Sequence, residues 1–287
     1  MFSEVKKMQT SLKEISIAHS PDSDDAFMFY AIAKGKIDTS GLSVKQVMKD
    51  IQTLNQEAVD EKYDVSAISF AGYPRIADKY MLMPCGASMG YNYGPIVISK
   101  RDLTREDLKT IKLAIPGRQT TAYMTLRLYQ PQLNVVEVPF DQIITAVLED
   151  RCDAGLLIHE GQLTYKADNL KKIVDVGEWW FEKTKLPLPL GGNAIRRGLG
   201  ADLIHTTTKL MKDSIVYSLA HREEALAYAL EFARDLPTTL ADKYIGMYVN
   251  ELTVDCGDSG RAAVRLLFDE AYKNGILDKP VAIDFSE

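Results

Sequence analysis

The 287 residues are 46% hydrophobic and 26% charged, enough apolar material for one large core or two smaller ones. With 34 basic residues against 40 acidic ones the net charge is -6, which speaks against a nucleic-acid or anionic-membrane surface. No run approaches the ~18 apolar residues of a membrane span, and residues 1–14 lack both the apolar core and the cleavage site of a signal peptide, so a cytoplasmic protein is expected.

The chain starts as βα units. Residues 14–19 (EISIAH) read as a strand that runs into the polar turn Ser20-Pro21-Asp22-Ser23-Asp24-Asp25. A helix follows over 26–33, with Phe27, Tyr30 and Ala31 at helical spacing. The aspartates lack the glycine and distal glutamate of a calcium loop and read as helix caps. Next come a strand over 44–48, a helix capped by Asp50 to about 59, and a buried strand over 63–69 (YDVSAIS) that ends in the Ser69 hydroxyl. A helix is expected over 70–79 and a short extended piece over 81–84. The loop 86–94 (GASMGYNYG) matches no phosphate-binding glycine pattern; it is either a close-approach loop lining a cleft or an ordinary surface loop.

Residues 95–100 (PIVISK) read as a strand, and Thr104-Arg105-Glu106-Asp107 has the form of a capping box. A fresh βα unit begins at 112–116, and its helix runs to about 129. Thr120, Thr121 and Ala122 at its start form either an anion site for a carboxylate or a plain cap. A strand over 134–139 and a helix over 140–150 precede 153–165 (DAGLLIHEGQLTY). This stretch is a short buried strand that delivers His159 at its end. A histidine there can act as a base near neutral pH, or simply cap the next helix or bond a backbone carbonyl. After a strand over 172–176, residues 177–192 read as irregular. Their two tryptophans are either walls for a flat ligand or packing between lobes. A strand returns over 193–197, followed by helices over 206–220, 222–235, 238–249 and 258–274 that carry His205 and His221 as surface residues. Cys85, Cys152 and Cys256 show no CxxC spacing and read as small apolar fillers.

The restarted βα alternation predicts an α/β protein of two lobes, 1–97 plus 193–287 and an inserted 98–192, with the late helices covering the first sheet. If the sheets face each other, His19-Ser20, Ser69, Thr120-Thr121 and His159 meet in one cleft. Ser20, Asp25, Ser88, Gly90, Trp180 and Leu190 are further candidates for its lining.

Several stretches carry a resemblance: Ser20-Pro21 through Phe27, Ala67-Ile68-Ser69, Gly90 to Pro95, Thr121-Ala122, Ala154 to Tyr165, and Gly177-Glu178-Trp179-Trp180 through Leu186-Pro187-Leu188-Pro189-Leu190-Gly191. On these the chain resembles the 1,4-dihydroxy-6-naphthoate synthases of the futalosine route to menaquinone, which have the type II periplasmic-binding-protein fold. The last stretch separates them from chorismate dehydratase, a sister enzyme of the same fold. Where many members read Ser-Pro-Cys-Pro-Asn-Asp, this chain has Ser20-Pro21-Asp22-Ser23-Asp24-Asp25. The resemblance implies a carbon–carbon lyase that converts cyclic dehypoxanthinylfutalosine to the naphthoate and a small sugar-derived fragment. It implies His159 as proton acceptor, substrate contacts at Ala67, Ile68, Ser69, Thr121 and Ala122, and no metal or organic cofactor. The partner is then a small-molecule carboxylate substrate, with no nucleic acid and no membrane, and the sequence carries no signal of oligomeric state. A chorismate dehydratase-type enzyme and a non-catalytic binding protein for a small carboxylate are the alternatives.

Overall fold

The structure, a computed structural model, describes residues 12–232 and 237–287. The signal-peptide reading of 1–14 and the end of the helix expected over 222–235 therefore fall partly outside the described residues.

The chain opens with β1 (Lys13–His19), α1 (Ser23–Ala33), β2 (Leu42–Met48), α2 (Ile51–Val59) and β3 (Val65–Ser69), followed by β4 (Tyr80–Leu82) and β5 (Ser88–Gly90). It continues with β6 (Ile96–Ser99), β7 (Lys112–Ile115), α3 (Thr121–Tyr129), β8 (Asn134–Glu137), α4 (Ile143–Leu148), β9 (Ala154–Leu157), α5 (Gly161–Thr164), β10 (Lys171–Asp175) and α6 (Val176–Thr184). Then come β11 (Leu188–Arg196), α7 (Ala201–Ala220), α8 (Arg222–Ala229), α9 (Thr238–Tyr248), α10 (Glu251–Val254) and α11 (Gly257–Lys273).

These strands build two sheets. The first has the order β2-β1-β3-β11-β4, with β5 also pairing with β11; the second has the order β10-β6-β9-β7-β8. β1 runs parallel to β2 and β3, and β7 parallel to β8 and β9. Their carboxyl ends, where open α/β sheets bind ligands, therefore point the same way within each sheet. Every residue of β3, β6 and β9 is buried, as expected for apolar runs covered on both faces. α1 is apolar almost all round because it lies between the first sheet and α7, α8 and α9. α11 instead shows one apolar stripe, Gly260, Ala263, Val264, Leu267, Phe268 and Ala271, laid against β11 and α3.

Local chemistry changes several of the expected elements. The helix expected over 70–79 is a 3-10 turn, Phe70–Arg75: Pro74 lacks an amide donor, and Gly72 packs so close to Asn55 that an added Cβ would stand 2.8 Å from its Oδ1. The helix expected over 140–150 is a 3-10 turn followed by the shorter α4. Residues 177–192 are ordered rather than irregular. The Asp175 side chain caps α6 at the Gly177 and Glu178 amides, Lys185 ends the helix in the left-handed region, and β11 begins at Leu188 instead of 193. Its Pro189 and glycines are accommodated by a register shift between Pro189 and Gly191 opposite β5. α1 begins at Ser23 rather than 26, and its N-cap Asp22 makes no side-chain capping bond, so that aspartate is not a cap.

Candidate functional site

The carboxyl ends of β1, β3, β7 and β9 converge on a cleft between the two sheets. Ser20, Ser69, Thr120, Thr121 and His159 all line it. His19 does not: it is 1% exposed, stacks on Phe29 at 4.2 Å and places Nδ1 2.7 Å from the Ser20 carbonyl.

His159 is held by four contacts. β9 ends at Leu157, and His159 adopts φ 54°, a left-handed conformation that turns the chain sharply before α5. Its Nδ1 lies 3.3 Å from Tyr244 Oη and 3.6 Å from Asp22 Oδ2, and the Phe140 ring meets it edge-on at 4.8 Å. Gln162, one turn on, ties the backbone. With the amide oriented to suit its neighbours, its oxygen accepts from the His159 amide at 3.2 Å and its nitrogen donates to Gly94 O at 2.6 Å. The ring is thus placed by both sheets and by α9.

The β1–α1 turn is acidic and dry. Burial, with Asp25, Asp22 and Glu160 close by, pushes the Asp24 carboxyl well above the ordinary carboxylate range. Burial also raises Asp25, against the pull of His19 and of the Ser20 amide, which donates to Asp25 Oδ2 at 2.8 Å. Burial, with Asp24 and Glu160 beside it, pushes the Tyr244 phenol far up, so it stays a neutral hydroxyl; Tyr248 is raised by burial as well.

Opposite this turn lies the start of α3. The Thr120 hydroxyl caps the Tyr123 amide, which leaves the Thr121 and Ala122 amides as first-turn donors with no partner inside the helix. The Thr121 hydroxyl is already engaged: it donates to Leu190 O at 2.6 Å and accepts from the Ala71 amide at 3.2 Å. Asn55 Oδ1 accepts from the Ser69 amide at 2.9 Å, which leaves the Ser69 hydroxyl as its contribution to the cleft. Asn193 is 2% exposed; its Nδ2 donates to Gly86 O at 3.1 Å, whereas its Oδ1 has no donor.

Of the other residues expected from the sequence, Ala67, Ile68, Ala122, Asp25, Ser88 and Leu190 line the cleft. Trp180 and Gly90 do not. Trp180 is 0% exposed and donates from Nε1 to Pro187 O at 3.1 Å, an internal anchor rather than a ligand wall. At Gly90 an added Cβ would stand 2.0 Å from Tyr93 O, so the loop there packs on its own backbone. Sequence reasoning missed Asp22, Gln162, Asn193, Tyr244 and Tyr248. The tyrosines lie in the helical tail, where apolar spacing announces a buried face without naming what it meets. His205 and His221 are exposed and the three cysteines buried and free, as expected. Among the described residues no cluster of three His, Cys, Asp or Glu could hold a metal ion, and no helix is long and apolar enough to cross a membrane.

This architecture recurs in solved structures. The periplasmic aliphatic sulphonate binding protein SsuA from Escherichia coli superposes with a TM-score of 0.67 at 12% identity, covering 94% of this chain and 90% of that one. The fold is therefore periplasmic-binding-protein-like, two α/β sheets with a cleft between them. A crystal structure of a protein from Archaeoglobus fulgidus matches more closely, at TM-score 0.88 and 44% identity over 92% of this chain and 98% of that one. Residues 15–273 match the model of a family described as menaquinone biosynthesis. Two relatives carry the name 1,4-dihydroxy-6-naphthoate synthase. The one from Thermus thermophilus is 37% identical over 265 residues, 92% of this chain and 96% of its own. The one from Streptomyces coelicolor is 35% identical over 276 residues, 93% and 96%. The chain belongs to this menaquinone-biosynthesis family.

Proposed function

We propose that the chain is a 1,4-dihydroxy-6-naphthoate synthase, a carbon–carbon lyase that acts on cyclic dehypoxanthinylfutalosine with His159 as proton acceptor. Support comes first from the relatives of that name, which match nearly the whole chain. The observation that carries the reading is His159 itself, a ring oriented by both sheets in the same cleft as Ser69 and the first turn of α3.

In this reading the substrate carboxylate lies against the Thr121 and Ala122 amides and the Ser69 hydroxyl, where a helix N-terminus favours negative charge. His159 takes a proton from the cyclic portion. The electron pair left behind opens the ring and expels the sugar-derived fragment, and formation of the aromatic naphthalene drives the step forward. The neutral Tyr244 hydroxyl supplies a donor for oxygen atoms that gain charge. The two sheets act as lobes hinged where the chain passes from β5 to β6 and from α6 to β11, and they close over the substrate. Incubation of the purified protein with cyclic dehypoxanthinylfutalosine should yield the naphthoate by mass. Intact substrate after prolonged incubation with folded protein would remove the assignment.

A further inference from the structure

His159 Nδ1 faces two groups at once, Tyr244 Oη at 3.3 Å and Asp22 Oδ2 at 3.6 Å. The Asp22 carboxylate is itself fixed. The Ser20 hydroxyl donates to the same Oδ2 at 2.8 Å, and the Asp22 amide donates back to Ser20 Oγ at 3.2 Å. An ionised carboxylate only accepts hydrogen bonds, whereas a tyrosine hydroxyl both donates and accepts. A lone pair on Nδ1 would meet the carboxylate with repulsion, while an N–H there is attracted by both neighbours. The structure thus selects one tautomer.

We propose that Asp22 is a positioning residue for His159, holding Nδ1 as N–H so that Nε2 carries the lone pair that takes the substrate proton. This rests on the reading of His159 as proton acceptor and adds to it a partner from the other sheet. Asp22 sits at the start of α1, beside the first sheet, and His159 follows β9 of the second. The 3.6 Å separation is longer than a hydrogen bond; an approach of roughly 0.6 Å makes it one, and catalytic contacts commonly tighten in this way when substrate is bound. Closure of the cleft would therefore tighten this pair to a hydrogen bond, while the open form already favours N–H at Nδ1. The other ionisable groups around this turn are Asp24 and Asp25 on α1, Glu160 after His159, Tyr244 and Tyr248 on α9, and His19 behind the turn. Of all these groups, Asp22 is the carboxylate within ion-pair reach of the ring.

The test uses the full-length protein labelled with 15N-histidine. Among its four histidines, His159 is assigned by the signal lost in His159→Asn. Long-range 1H–15N correlation at pH 8 should show His159 as the Nδ1–H tautomer in the wild type. Asp22→Asn, whose amide can donate to Nδ1, should shift it toward Nε2–H. The same variant should lower kcat at least about ten-fold, short of the ~10⁴-fold cost seen where an orienting aspartate is bonded directly to the imidazole, and leave KM within about three-fold. Asp22→Ala, which cannot donate, should lose kcat without enforcing the wrong tautomer. An Nε2–H tautomer in the wild type overturns the proposal, as does an unchanged tautomer and kcat in folded Asp22→Asn. His159→Asn in the same assay separates the two ideas. Turnover at the wild-type rate there removes the proton acceptor and Asp22's role with it. Lost turnover beside unaltered Asp22→Asn kinetics overturns Asp22's role by itself.

Discussion

Replacing Thr121 by valine removes one hydroxyl and almost no volume, and the structure says what that hydroxyl does. It donates to the Leu190 carbonyl and accepts from the Ala71 amide, joining α3 to β11 and to the turn after β3, at a position 1% exposed. In Thr121→Val both partly buried main-chain groups lose their partner, at about 1–3 kcal/mol each. The extra buried methyl returns up to about 0.8 kcal/mol. The net loss is about 1–5 kcal/mol, which at ~2.1 cal/mol/K of unfolding entropy per residue lowers the melting temperature of a chain of this size by about 2–9 °C. Scanning calorimetry of Thr121→Val and Thr121→Ser checks it, since serine keeps the hydroxyl and should restore most of the loss. Substrate affinity should fall in Thr121→Val only as far as the first turn of α3 shifts. A melting temperature within about 1 °C of wild type together with a large loss of binding would refute the reasoning, because the hydroxyl would then bond substrate rather than protein.

Asp175 gives a pH dependence. Burial pushes its carboxyl up to about 6 although the Gly177 and Glu178 amides donate to it. A folded-state value above the unfolded one means that its contribution to stability is full below about pH 4 and lost as pH rises through about 6, on the order of 2–3 kcal/mol in all. Urea unfolding should show Asp175→Asn flatter across this window and more stable at pH 7; equal slopes for variant and wild type would contradict it. Asn193 Oδ1 is a buried acceptor without a donor on the cleft wall, so Asn193→Ala should weaken substrate binding about ten-fold by calorimetry with the fold intact, and unchanged affinity would remove it as a contact. The proposed closure of the sheets over substrate predicts a smaller radius of gyration with ligand by small-angle scattering, and superimposable profiles would count against it.

The strands and the polar residues at their ends were readable because each lies within one short stretch. The fully buried runs of β3, β6 and β9 show as apolar clusters; Ser69 ends β3, His159 comes just after β9, and Thr121 opens the helix after β7. Three kinds of feature were not readable. Pro187, Pro189 and the glycines of 177–192 suggest a break in structure, yet Asp175 caps a helix there and β11 absorbs them at a register shift. The apolar spacing of 70–79 suggests a helix, and only the packing of Gly72 on Asn55, together with Pro74, shortens it to a turn. Contacts made across the cleft leave no local trace: Tyr244 reaches His159 from 85 positions away, and Asp22 from the far sheet looks in sequence like one more cap.

The central claim, that His159 accepts the proton that starts ring opening, is tested most directly by single turnover of cyclic dehypoxanthinylfutalosine with wild-type protein and His159→Asn, following the naphthoate by mass. Asparagine keeps much of the shape and some hydrogen bonding but accepts no proton near pH 7. The account predicts that the rate falls by about 10²–10⁴-fold while substrate affinity changes less than about ten-fold. A variant that binds poorly yet forms the naphthoate at the wild-type rate once saturated would make His159 a ligand contact and contradict the claim.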